Sequence, residues 1–273
     1  MTGVSSSALS IRPDVLRAFA GRDFAVSRSY RLPFVLDLFY GVLELAVYYF
    51  ISRTVLTTHS LDGAPSYFAF AAVGMVVALV VQVASQEVAV RVREQQVSGS
   101  LELLLAQPVR TLELCFGMAS FPFVFALVRA AAYLTVAGIW MRLDVSHTSW
   151  LGLILVFLTA AAALSSLGIA AAAFVIVVKR GQTIAGMVIF AMTMVGGSVF
   201  PVSALPSWLE PIGRIVPLRF AYDGARAALF RGHGWGEDVV ILAAIAVFGI
   251  PLGTLAFGRA LAAGARRGSL AQY

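Results

Sequence analysis

Residues 150–178 read WLGLILVFLTAAAALSSLGIAAAAFVIVV, a run without a single charged side chain. A helix needs about 20 apolar residues to cross the roughly 30 Å hydrocarbon core of a bilayer, so this run is long enough to span it. The whole chain of 273 residues is similar in character, because 60% of its residues are hydrophobic and only 12% are charged. A soluble domain carries about twice that share of charge. The sequence therefore predicts an all-α polytopic membrane protein and excludes a soluble enzyme, a disordered chain and a disulfide scaffold.

Six apolar runs predict six transmembrane helices in a single domain, with bounds of 33–56, 66–85, 114–140, 150–178, 183–202 and 239–262. Most arginines fall before the first run, between the second and third, between the fourth and fifth, and after the sixth. The positive-inside rule then places both chain ends in the cytoplasm. Four arginines precede the sixth run on the opposite side, where four acids balance them. A five-span alternative would require the fourth run not to cross, and its length argues against that.

The segment before the first span has the pattern of an amphipathic helix over residues 11–31. Val15, Leu16, Phe19 and Phe24 form an apolar stripe, and the arginines around them can reach lipid phosphates. We predict a helix lying on the inner membrane surface. The alternative is a solvated tail with scattered apolar residues.

The segment 87–110, EVAVRVREQQVSGSLELLLAQPVR, predicts two helices separated by a break. Its first part continues the second span, and the Ser-Gly-Ser sequence at 98–100 ends that helix. A short second helix can follow, because Leu101, Leu104 and Leu105 share one face at i, i+3 and i+4. Such a helix either docks into a groove of a partner protein or rests on the membrane surface, and the spacing favours neither.

Residues 200–230 contain four prolines, too many for one continuous membrane-crossing helix. We predict two short helices over 203–231, on the outer side, that dip part-way into the membrane. Their backbone polar groups would be satisfied only if the helices pack against protein. The alternative is an ordinary outer loop.

Ionisable residues inside the predicted spans are the candidate functional groups. Asp37, Gly41, Glu44 and Tyr48 recur at helical spacing along one face of the first span, and Arg129 lies deep in the third. Such groups are costly at membrane depth and usually face a bundle interior or a water-filled path. We predict either a translocation path with gating residues or a buried ion pair, with Arg129 as a counter-ion for Glu44.

Two further features carry no predicted chemistry. The run Thr159–Gly168 is rich in Ala, Ser and Gly, which favours close packing of helices. The three histidines lie far apart in sequence, so we predict no metal site, and the single Cys115 cannot form an internal disulfide.

Two motifs resemble those of type-2 ABC exporter permeases, the membrane subunits of bacterial ATP-driven drug, antibiotic and lipid exporters. The first is similar to the family pattern R-E…G-T-L-E-x-L-L-x-x-P after the second span, with Ser100 in place of the commoner Thr. The second resembles F-P-x-x-x-L-P-x-W-L…P-L-x-Y-x-x-D-x-x-R before the last span. The candidate residues within the first motif are Arg93, Glu94, Gly99, Leu101, Glu102, Leu104 and Pro108, and those within the second are Phe200, Pro201, Pro206, Trp208, Pro217, Tyr222, Asp223 and Arg226.

The resemblance implies roles for the two motifs and a set of partner subunits for this chain. The first motif, together with Arg91, would form a coupling segment that docks on a separate ABC ATPase subunit, present in two copies. The second would form an outer hairpin that caps the translocation path. The resemblance also implies a second permease copy, identical or homologous, an inner-membrane location, and an amphipathic drug, antibiotic or lipid as substrate. A polysaccharide exporter, a non-transporting sensor subunit and an intramembrane enzyme are the alternatives.

The chain lacks the phosphate-binding loop of an ATPase. That loop needs Gly-x-x-x-x-Gly-Lys followed by Ser or Thr, but the only lysine, Lys179, is preceded by valine and followed by Arg180. We therefore predict that this chain is not an enzyme, and that ATP and Mg²⁺ bind on the partner ATPase with no cofactor in this chain.

Overall fold

The computed structural model describes residues 31–54, 61, 63–99, 111–178 and 181–266, together with residue 21. These residues form eight α-helices and no strand, which confirms the all-α fold class. The helices are α1 (Arg31–Thr54), α2 (Tyr67–Val97), α3 (Thr111–Met141), α4 (Trp150–Val177), α5 (Gly181–Val195), α6 (Glu210–Ile215), α7 (Pro217–Arg226) and α8 (Gly236–Arg266). A 3₁₀ turn at Val202–Ala204 precedes α6, and a π-helical turn at Ala227–Arg231 extends α7. The predicted surface helix at 11–31 lies almost entirely outside the described residues.

Five of these helices, α1, α2, α3, α4 and α8, are long and apolar enough to cross a membrane. The fifth predicted span differs, because α5 has 15 residues and ends at Val195 rather than at position 202. It is therefore about 22 Å long, shorter than the hydrocarbon core. Two consecutive glycines follow it, and Gly197 has a φ of +94°, a conformation that ends the helix. The count of six spans and their orientation stay predictions.

Helix α4 lies at the centre of the bundle and packs against both α2 and α8. The small residues predicted to favour close packing lie at these contacts. A Cβ atom on Gly168 would stand 2.8 Å from the carbonyl oxygen of Ala84 in α2. On the other side, a Cβ on Gly249 of α8 would stand 2.6 Å from the hydroxyl oxygen of Ser166. The run at 150–178 thus forms the interior of the subunit.

Serine side chains define where the two most buried helices begin. The Ser66 hydroxyl accepts a hydrogen bond from the N–H of Ala69 at 3.1 Å, and the Ser149 hydroxyl accepts one from the N–H of Gly152 at 3.2 Å. These N-caps satisfy backbone donors that no helical carbonyl can reach. Both helices begin at the same end of the bundle as α6 and α7.

Helix α1 packs at the edge of the bundle against α2 and α3. Only Leu45 and Gly41 are buried among the described side chains of this helix, whereas most of α2 is buried. Gly41 is required at its position, because a Cβ there would overlap the phenol of Tyr133 in α3. The polar residues of α1 therefore lie beside a close contact between helices.

We expect Gly168→Ala to destabilise the protein, because the carbonyl of Ala84 belongs to a helix backbone and cannot move away. Overpacking of this kind costs about 1–3 kcal/mol. Gly258→Ala is the matched control, since a Cβ there meets no atom within 4 Å and alanine is a better helix former. Thermal unfolding of the two purified variants in detergent checks the prediction, and equal midpoints would contradict it.

Candidate functional site

A cavity of about 210 Å³ lies between α1, α2, α3 and the end of α5. We call it the cleft cavity. Its α2 residues fall about 12–22 Å along the helix from its first turn, within the apolar part of α2. Its lining combines polar and apolar side chains: Tyr40, Gly41, Glu44, Tyr48, Met75, Ala78, Leu79, Gln82, Arg129, Tyr133, Thr193, Met194, Ser198 and Val199. Tyr40 and Gln82 are exposed, so the cavity opens to the surface of the subunit on this side.

The structure brings Glu44, Tyr48 and Arg129 to one cavity, although they come from two helices distant in sequence. Glu44 and Tyr48 lie one turn apart on α1, and the Tyr48 hydroxyl donates a hydrogen bond to Oε1 of Glu44 at 3.4 Å. Both side chains are half-buried. The helical spacing read from the sequence therefore places these two groups on the cavity wall.

Arg129 pairs with Asp37, not with Glu44 as the sequence suggested. Its Nη1 lies 3.3 Å from Oδ2 of Asp37, and its Nη2 donates to the Tyr133 hydroxyl at 3.2 Å. That hydroxyl donates in turn to the Asp37 carbonyl at 2.9 Å. Tyr133 thus fixes α3 against α1 about two turns from Glu44, a register that depends on the absence of a side chain at Gly41.

The cavity is also lined by polar side chains that the sequence analysis did not single out, among them Gln82, Tyr133, Thr193 and Ser198. Gln82 is an amide in the middle of an apolar run. A polar residue at such a position is the feature by which the sequence could have indicated a role for Gln82. Ser198 follows the end of α5, inside a segment that the apolar pattern assigned to a span. Ser198 is 1% exposed, and among the described residues its hydroxyl has no hydrogen-bond partner.

Arg226, at the end of α7, joins three segments of the chain. Its side chain is 1% exposed, and Nη2 donates to the carbonyls of Phe70, Gly197 and Ser198 at 3.3, 2.8 and 3.1 Å. The guanidinium also lies 3.4 Å above the ring of Phe70. It therefore ties α7 to α2 and to the turn that follows α5.

The two halves of the proline-rich motif have opposite environments. Around α7, Tyr222 is fully buried and Asp223 bonds Nε of Arg219 at 2.8 Å, while Pro217 is the first residue of the helix. Around α6, Pro201 is buried, Phe200 is half-buried, and Pro206 and Trp208 are exposed. The α7 half is therefore anchored in the bundle, whereas the α6 half presents apolar surface.

Only the first part of the predicted coupling segment lies within the described residues. Helix α2 continues to Val97, as the sequence predicts, and Gly99 has a φ of +70°, the left-handed conformation typical of a helix end. Nε of Arg91 bonds Oε1 of Glu87 at 2.7 Å, Arg93 is half-buried and Glu94 is exposed. The remaining residues of the motif, Leu101, Glu102, Leu104 and Pro108, lie outside the described residues.

Comparison with known families adds an independent finding. The model of the family described as ABC-2 type transporter matches residues 21–230, just over three quarters of the chain. The chain belongs to the ABC-2 type transporter family. It is thus an ABC transporter permease, a multi-pass membrane protein whose family works with an ATPase partner. The match includes every residue of the cleft cavity and both motifs. A search of curated protein sequences finds no match to the permease.

Arg226 offers a test of how α7 is held against the rest of the permease. Arg226→Ala removes the donor shared by three carbonyls, and we expect a loss of about 3–5 kcal/mol of stability. Arg214→Ala is the control on the neighbouring helix α6, because among the described residues the side chain of that exposed arginine makes only an i,i+4 pair with Glu210, and its loss should cost under about 1 kcal/mol. Thermal unfolding in detergent separates the two, and similar losses for both would show that Arg226 does not hold the segments together.

Proposed function

We propose that this permease is the membrane subunit of an exporter that moves an amphipathic drug, antibiotic or lipid-like substrate out of the cytoplasm or inner leaflet of a bacterium. The observation that carries the proposal is the cleft cavity, a partly polar site near the middle of an otherwise apolar bundle. Polar groups at this depth are costly unless they face a path or a partner. A wall that mixes carboxylate, amide and phenol groups with methionine and leucine suits a substrate with one polar and one apolar part.

Helix α2 supports the proposal because it connects the cavity with the coupling segment. Gln82 and Glu94 lie twelve residues apart on one unbroken helix, about 18 Å along its axis. A displacement of the coupling segment can therefore reach the cavity as a rigid movement of α2. Because α1 and α5 flank α2, the same movement changes the width of the cavity.

The energy for this movement comes, in our proposal, from ATP bound with Mg²⁺ on two copies of a separate ATPase subunit. This chain is not itself an enzyme and holds no cofactor. A second permease copy, identical or homologous, completes the transporter. Closure of the ATPase pair can shift the permease between inward and outward states only if it binds the coupling segment differently in each. The outer hairpin caps the path in the resting state.

The first experiment is co-purification of this chain with ABC ATPase subunits of the same organism, followed by ATPase assays in lipid with and without amphiphiles. A stable complex whose hydrolysis rises with an amphiphile supports the exporter. A complex that never responds to or moves an amphiphile favours the sensor or polysaccharide alternatives. Failure to associate with any ATPase would overturn the proposal.

The coupling segment provides a sharper prediction. We expect Glu94→Gln and Leu101→Ala to leave the folded complex and its basal ATPase activity in place while lowering substrate transport at least about tenfold. The physical reason is that Glu94 is exposed, so its replacement removes a contact with the partner and not a packing interaction. Glu210→Gln, a change of the same kind on the outer hairpin, is the control. Normal transport by both coupling variants in reconstituted vesicles would show that the segment has another role.

A further inference from the structure

We propose that the cleft cavity binds the cationic head group of an amphiphile, such as an ammonium group, with Glu44 as its counter-charge. The inference rests on the proposed function and narrows its substrate class. It depends on the charges, aromatic rings, hydroxyl groups and volume of the cavity.

The charges of the cavity leave one carboxylate without a cation. Arg129 is the cationic residue of the lining, and its guanidinium lies beside the carboxylate of Asp37 at 3.3 Å. Glu44 accepts a hydrogen bond from Tyr48, but no cation among the described residues lies within ion-pair distance of it. An anionic ligand would be repelled by Glu44, whereas a cationic ligand would neutralise the charge of its carboxylate. In a medium of low dielectric constant this difference is larger than in water.

Three phenol rings, those of Tyr40, Tyr48 and Tyr133, line the same cavity. The face of an aromatic ring attracts a cation through its quadrupole, and aromatic cages that bind quaternary ammonium groups use this attraction. Arg129 lies beside one of these rings, with its guanidinium carbon 5.8 Å from the centre of the Tyr133 ring. A carboxylate together with several phenols therefore favours an organic cation over a strongly hydrated metal ion.

The Ser198 hydroxyl gives an independent indication that a ligand completes the cavity. It is buried and without a hydrogen-bond partner among the described residues, although a hydroxyl in such a position is normally satisfied. The exposed amide of Gln82 lies on the same wall. Both groups can bond an N–H or O–H group of a ligand that enters the cavity.

The volume of the cavity limits how much of a ligand it can hold. At about 210 Å³ it is smaller than the roughly 300–1,000 Å³ of sites that enclose a whole drug-sized molecule. A head group fits, and the rest of the ligand must lie outside. Met75, Leu79 and Met194 line the cavity beside the polar groups, and they can contact the first carbons of an attached chain. The ligand that fits these limits is an amphiphile with a single cationic head group.

The test uses two amphiphiles of equal chain length and opposite charge, decyltrimethylammonium and decyl sulfate, both radiolabelled. The full-length permease is placed in nanodiscs of a zwitterionic lipid, with the ATPase subunit wherever the two co-purify. Empty nanodiscs give the background of partition into lipid. Binding is measured for the wild type, for Glu44→Gln, which removes the charge at nearly constant shape, and for the control Glu210→Gln.

We expect saturable binding of decyltrimethylammonium to the wild type, with a Kd at least about tenfold lower than that of decyl sulfate. Glu44→Gln should raise the Kd for the cation about tenfold and leave that for the anion unchanged or lower, whereas Glu210→Gln should change neither. Absence of saturable cation binding, equal affinity for the two amphiphiles, or an unchanged Kd in Glu44→Gln would overturn the inference. If Glu44→Gln does not fold, the comparison of cation and anion on the wild type decides.

The outcome is separable from that of the proposed function. A permease that assembles with its ATPase but does not prefer the cation would refute the head-group site and leave the exporter standing. A permease that binds the cation through Glu44 but associates with no ATPase would refute the exporter and leave the head-group site standing.

Discussion

A polar group inside a bilayer has no water to bond with, and it must find its partner within the protein. In this permease the constraint is most severe where α5 stops after 15 residues and leaves backbone carbonyls without helical donors. Arg226 supplies the donors for Gly197 and Ser198, and for Phe70 on α2. Gly74 makes the contact possible, because a Cβ there would overlap the Ser198 carbonyl. The backbone carbonyls of Gly197 and Ser198, in the irregular segment after α5, are therefore satisfied by protein.

The same interaction determines the shape of the cavity. Because Arg226 fixes the turn after α5 against α2, Ser198 and Val199 lie over the groove that α1 and α2 form with α3. The opposite wall depends on a second arginine, Arg129, held between Asp37 and Tyr133. The two arginines thus set the walls of the cavity. The exporter proposal follows from this arrangement together with the family to which the chain belongs.

Local patterns in the sequence predicted the features that local chemistry controls. The uncharged run at 150–178 forms the central helix, Ser98 and Gly99 follow the end of α2, and the prolines divide 200–230 into short helices. Features that depend on tertiary register were not predictable in this way. The apolar run continues past Val195, so composition could not locate the end of α5. Arg129 was matched with Glu44 because both are charged, whereas the contact of Gly41 with Tyr133 determines its true partner.

The central claim is that the face of α2 between α1 and α5 lines a path for substrate and not a lipid surface. Cys115, the only cysteine, is 1% exposed. Because its thiol is buried, we expect it to add little background labelling. The most direct measurement is the reaction of Gln82→Cys with a charged, membrane-impermeant maleimide in vesicles, compared with Phe248→Cys on the exposed apolar face of α8. We expect Gln82→Cys to react, at a rate that changes when the ATPase is trapped in its closed state, and Phe248→Cys not to react. Equal protection of both positions would contradict it.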